Sequence, residues 1–237
     1  MITVNNLGKE YNQRIVLDIE KLEINQGEIF GLVGNNGAGK TTFFRLLLDL
    51  IRANRGNIES DGHIISQSEL WKDYTSSYLD ESFLIGFLTP MEYFYFIGET
   101  YGFSKIDTDN KLLAYKNFLT GEIFGEKRKY IRDFSKGNKQ KIGIVSSLIT
   151  DPKVLVLDEP FDGLDPTSQI VLKRLLVKLN EQAGTTILIS SHDLNHVTEI
   201  CPRIVLLEKG KVLRDISNNP NTLAELEQYF APEKVVE

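Results

Sequence analysis

"EIFGLVGNNGAGKTTFFRLLLDLI", residues 28–51, decides the fold. Residues 28–34 are a short apolar run that ends in glycine, the mark of a buried strand. From Lys40 to Ile51 apolar residues fill helical positions, so a helix is expected there. Between the two lies "GNNGAGKTT" (34–42), which matches G-x-x-x-x-G-K-[ST]. Gly34, Gly37 and Gly39 permit tight curvature, and consecutive backbone N–H groups then point inward to form an anion cradle at the helix start. Lys40 is placed to reach the β- and γ-phosphates of a nucleotide, and the Thr41 hydroxyl to ligate Mg²⁺. A random chain of this length meets the pattern about one time in a hundred, so its place between strand and helix gives it weight.

A second stretch answers the first. "KVLVLDEP" (153–160) is a four-residue apolar strand core that ends in Asp158 and Glu159. An Asp at such a strand end can hold Mg²⁺ through water, and the Glu that follows can orient and deprotonate an attacking water. An acidic pair after a strand is common on its own; with the phosphate loop it becomes specific.

The remaining pattern alternates. "TSQIVLKRLLVKLNEQ" (167–182) reads as an amphipathic helix with Ile170, Leu172, Leu175, Leu176 and Leu179 in one stripe. "TTILIS" (185–190) reads as a strand, "LNHVTEI" (194–200) as a short helix, and 203–215 as a hairpin turning at Lys209-Gly210. Residues 221–230 read as a closing helix with Thr222 and Glu225 at capping-box spacing. The last six residues, "PEKVVE", are expected to fray. Strands alternating with helices imply an α/β fold with a parallel sheet covered on both faces. From 84 to 150 the pattern is helical without a clear buried strand, which reads as an inserted helical subdomain.

Bulk properties exclude several classes. The chain has 237 residues and a formal net charge of −6, which argues against a dedicated nucleic-acid binder. Cys201 is the only cysteine, so no intramolecular disulfide can form, in keeping with a reducing cytosol. Three histidines and one cysteine make a structural zinc site a poor expectation. No apolar run reaches membrane-spanning length, and "MITVNNLGKEYNQ" lacks a signal-peptide core.

Taken in order, the motifs resemble those of the ATP-binding subunit of an ABC transporter, over residues 2–215. The resemblance implies a P-loop NTPase (RecA-like) core with a mostly parallel sheet, an N-terminal antiparallel β portion and an inserted α-helical subdomain. It implies one domain over 1–237, with 1–83 and 151–237 as ATPase core and 84–150 as helical subdomain. Asn35, Gly37, Ala38, Gly39, Lys40, Thr41 and Thr42 then contact ATP, and "VLVLDEP" is the Walker B stretch with Glu159 as catalytic base. "FDGLD" (161–165) resembles the D-loop, with Asp165 at a dimer seam, and "SSHDL" (190–194) the switch loop, with His192 on the γ-phosphate. Tyr11 sits where the family stacks an aromatic on adenine; a lone Tyr there otherwise simply packs.

Two stretches depart from the family. "FSKGNKQKIGI" (134–144) stands in place of the usual Leu-Ser-Gly-Gly-Gln signature and keeps Ser135 and Gly137, which face the ATP of a second monomer. Lys139 and Lys141 are expected on a solvated helix face; Lys136 either adds charge near phosphate or points away. At the Q-loop, Glu81 in "SSYLDESFL" occupies the glutamine's place and still offers oxygen to Mg²⁺ or water; Gln67 comes too early. The aromatic run 87–103 reads as subdomain core, with some members lining a groove for a membrane partner.

The expected activity is ATP hydrolysis, with Mg²⁺, by a head-to-tail homodimer or pseudo-dimer that powers a separate integral membrane permease. Export is the favoured direction, with the subunit cytoplasmic and peripheral on the inner face of the cell membrane. Nucleic acid is not an expected partner. A P-loop kinase shares only the phosphate loop. A soluble ABC-type ATPase acting on ribosomes or nucleic acid usually carries two cassettes or a long coiled-coil insert.

Overall fold

A computed structural model describes residues 1–119, 121–125 and 128–231, so the expected fraying of 232–237 lies outside the described residues. Two sheets organise the chain. The first is antiparallel, in the order β2-β1-β4-β5, from β1 (Ile2–Tyr11), β2 (Arg14–Ile24), β4 (Arg55–Ser60) and β5 (His63–Ile64). The second has six strands in the order β10-β9-β3-β8-β7-β6. Its strands are β3 (Ile29–Val33), β6 (Thr75–Tyr78), β7 (Val154–Leu157), β8 (Thr186–Ser191), β9 (Arg203–Glu208) and β10 (Lys211–Ser217). All its pairings are parallel except β9 with β10.

The central strands β3, β7 and β8 of the second sheet are buried at every position, because the sheet is covered on both faces and their residues there are mostly apolar. Period two sorts them. Ile29, Val33, Leu155, Leu157, Ile187 and Ile189 join one core; Phe30, Leu32, Val154, Val156 and Leu188 join the other. The first core is roofed by α6 (Pro166–Ala183), α7 (Leu194–Ile200) and α8 (Thr222–Phe230), and it extends into the helices of 84–150. Those are α2 (Pro90–Thr100), α3 (Lys105–Leu113), α4 (Gly121–Gly125) and α5 (Lys136–Leu148). The second core is closed by α1 (Lys40–Leu47) and the antiparallel sheet. The mixed α/β fold expected from the sequence is the fold observed. The hairpin at Lys209-Gly210 also forms, with both turn residues at positive φ as a two-residue connection requires.

Four local expectations are corrected. Helix α1 ends at Leu47, not Ile51, because Asp49 takes φ 50° and the Leu50 N–H caps back onto the Arg45 carbonyl. Ile170 is half exposed and outside the α6 stripe; it lies about 200° from Leu172 around the helix, so the two cannot share a face. The capping box at Thr222 does not form: Asn221 is the N-cap, and the buried Thr222 hydroxyl accepts from the Asn219 N–H instead. Lys141 is buried rather than solvated, its ammonium 5.8 Å from the centre of the Phe118 ring and 3.5 Å from Asp165. Helix α5 is packed against β6 and the 159–165 loop, so it has little solvated face to offer.

Candidate active site

The site forms where β3, β7 and β8 end side by side. Parallel strands deliver their C-terminal ends to one edge, and the loops leaving that edge carry the polar residues. The phosphate loop leaves β3 and enters α1 through Gly39, whose φ of 110° is open to glycine and strained for other residues. The loop is braced from behind: the Gly210 N–H donates to the Ala38 carbonyl, and the Asp18 N–H donates to the Gly210 carbonyl. Asn35, Asn36 and Gly37 are exposed, Ala38 is buried and Thr42 is half-buried.

Lys40 is buried, with Nζ donating to the Gly34 carbonyl at 2.6 Å and lying 3.2 Å from Glu159 Oε1. The Thr41 hydroxyl donates to Asp158 Oδ2 at 2.6 Å. The Ser190 hydroxyl donates to the other Asp158 oxygen and accepts from the Glu159 N–H at 2.9 Å. Burial pushes the Asp158 carboxyl pKa up, against the lowering pull of its Ser190 and Thr41 hydrogen bonds. Glu159 sits at φ 48°, and this left-handed backbone lets its side chain reach across the cleft. Its Oε2 accepts from the His192 N–H at 3.1 Å and lies 2.9 Å from His192 Nδ1. Lys40, Thr41, Asp158, Glu159 and His192 are therefore joined in one network.

A cleft of about 670 Å³ opens beside it, lined by Thr41, Asp158, Glu159, Glu81, Gln140 and Lys136 among others. Glu81 thus shares the cleft with the network, and its carboxylate lies 3.2 Å from Lys139. Gln67 lines a different cavity, between α1 and the antiparallel sheet. Ser135 caps α5, its hydroxyl accepting from the Asn138 N–H at 3.3 Å. Gly137 lies so near the 159–165 loop that a Cβ there would sit 2.6 Å from the Gly163 carbonyl oxygen. Tyr11 is half exposed at the end of β1 with the Lys9 ammonium 4.8 Å from its ring centre. It makes no contact with the network.

The sequence reading missed Ser190 and Gln140. Ser190 was in plain view in "SSHDL", yet its bond to Asp158 spans 32 residues and only the β7–β8 pairing brings the two together. Gln140 Nε2 donates to the Glu159 carbonyl at 3.1 Å, across the packing of α5 on the loop.

The donors near Thr41 suit a hard cation. They are hydroxyl and carboxylate oxygens, and among the described residues no three His, Cys, Asp or Glu side chains converge to hold a metal alone. Mg²⁺ commonly takes one or two protein oxygens and completes its shell from water and phosphate.

A phosphate loop on a central parallel strand, with an acidic strand end beside it, defines the P-loop NTPase class. The ABC transporter family model matches residues 17–162. An uncharacterised ABC transporter ATP-binding protein of Methanocaldococcus jannaschii is 36% identical over 212 residues, covering 90% of this chain and 76% of that protein. A bacitracin transport ATP-binding protein of Enterococcus faecalis is 31% identical, covering 92% of this chain and 69% of its own. A solved structure of an ATP-binding subunit of an ABC transporter matches with a TM-score of 0.83 at 27% identity, covering 97% of this chain and 93% of that one. The chain belongs to the ABC transporter family, as an ATP-binding subunit.

Proposed function

We propose that this chain hydrolyses ATP as a head-to-tail pair and drives transport through a separate membrane permease, with export as the favoured direction. The observation that carries the hydrolytic reading is Glu159, held between Lys40 and His192 at the mouth of the phosphate loop. Each ATP then lies between one chain's phosphate loop and the Ser135–Gly137 segment of the other. The exposed loop tip at 35–37 and the exposed Ser135 are open to such a partner.

In this reading the 34–42 loop and Lys40 bind the phosphates. Lys40 exchanges Glu159 for phosphate oxygen, which frees Oε1 to accept a proton from the attacking water. As the water oxygen bonds to the γ-phosphorus, the bond to the bridging oxygen breaks and ADP leaves with that electron pair. His192 turns from Glu159 to the γ-phosphate and donates a hydrogen bond there. Positioning and electrostatics supply the catalysis. Thr41 and Asp158 would hold Mg²⁺, with Glu81 facing the same cleft; the cation supplies positive charge against the phosphate oxygens. Tyr11 stacks on adenine.

Among the described residues no helix is long and apolar enough to cross a membrane, so the proposed place on the inner membrane face depends on the permease. Phosphate release and gel filtration of Glu159→Gln test the reading. The variant is expected to bind ATP, lose turnover about a hundredfold or more, and accumulate as an ATP-dependent dimer. Near-normal turnover would remove Glu159 as the base.

A further inference from the structure

Lys136, where the sequence departs from the family signature, has an anionic partner in its own chain. Its ammonium lies 2.6 Å from Asp162 Oδ2. The hydrogen bond and the attraction raise the lysine's pKa and lower the carboxyl's. The lysine methylenes run beside Gly163, whose added Cβ would lie 3.3 Å from Lys136 Cδ. Gly137 abuts the Gly163 carbonyl, and Gln140 donates to the Glu159 carbonyl. The first turns of α5 thus form a template for residues 159–163, the loop that begins with Glu159. Unlike the buried contact at Gln140, the Lys136–Asp162 pair has both partners exposed, so a stronger anion can displace the carboxylate at small cost.

We propose that Lys136 is a positioning residue that couples the two ATP sites of the pair. It holds Asp162, and with it the Glu159 loop, and it transfers its ammonium to phosphate when the partner's ATP arrives. This rests on the head-to-tail reading above. In that arrangement Lys136 faces the partner's nucleotide while Asp162 and Glu159 serve the chain's own. Loading of one site is thereby reported to the loop that carries the base of the other.

The test measures ATP-driven dimerisation in the Glu159→Gln background, by light scattering across an ATP titration. Adding Lys136→Met is expected to raise the ATP needed about tenfold, the loss of one charge-assisted hydrogen bond. Lys136→Arg should keep the parent value. Asp162→Asn, which frees the lysine, should lower the ATP needed. Binding of a fluorescent ATP analogue to the dilute single chain should match the parent in all three, which shows that the variants are folded. In the active protein Lys136→Met should also bring the Hill coefficient for ATP towards one. Shifts of the same sign for Lys136→Met and Asp162→Asn, or no shift in either, overturn the coupling. Failure of Glu159→Gln alone to dimerise at saturating ATP overturns the head-to-tail reading, and the coupling falls with it.

Discussion

Both carboxylate oxygens of Glu159 are occupied, one by Lys40 and one by His192. In the proposed mechanism these two contacts hold the base in place until phosphate draws Lys40 off. Ser190 sets the geometry beneath it, gripping the Asp158 carboxylate and the Glu159 N–H with one hydroxyl. Ser190 is fully buried, and Ser190→Ala leaves the part-buried Glu159 N–H without that partner. Turnover is expected to fall about tenfold while ATP affinity stays within about threefold, measured by phosphate release and by analogue binding. Asp165 gives a pH prediction. Hydrogen bonds from Ser168 hold its carboxyl down to about 2, below its ordinary 3.8. Its stabilising effect is complete above that ordinary value and is lost as pH falls towards 2. Asp165→Asn should flatten the drop in melting temperature between about pH 4 and pH 2, read by circular dichroism.

Elements whose geometry follows from consecutive residues were legible in the sequence. The phosphate loop, the Asp158-Glu159 strand end and the Lys209-Gly210 turn each carry their conformation in a string of a few residues. Elements set by contacts between distant segments were not. The lysines of α5 look solvated on a helical pattern alone, yet Phe118 and Asp165 cover Lys141. Thr222 and Glu225 have the right spacing, but Asn219 claims the threonine hydroxyl first. Ser190 and Gln140 share the cause: each acts through a bond to a segment far off in sequence. The aromatic run 87–103 was ambiguous for a related reason. The structure divides it, burying Tyr93 and Phe94 and leaving Phe87 and Phe96 exposed.

At the scale of the whole molecule, the site lies at the C-terminal ends of β3, β7 and β8, and α5 of the 84–150 helices lines the cleft beside it. Phe87 and Phe96 of the 84–150 segment, with Phe83 just before it, give an apolar surface, which the proposed permease contact would cover. Phe87→Ala, at a side chain 68% exposed, should release most of the subunit from membranes containing its permease while ATP hydrolysis by the free subunit is unchanged. Flotation of membranes with bound subunit reads this, and undiminished association would remove Phe87 from the interface.

The brace behind the phosphate loop also imposes an order of events during synthesis. Strand β3 lies between β8 and β9, and the Gly210 N–H holds the Ala38 carbonyl. A ribosome finishes the loop's own residues early, but the strands that flank β3 and the turn that supports it come only with residues 186–210. A nascent chain stopped near residue 200 should therefore bind ATP poorly although "GNNGAGKTT" is complete, and binding should appear once residue 210 has cleared the exit tunnel. The most recognisable part of the sequence is made well before the strands and turn that render it competent.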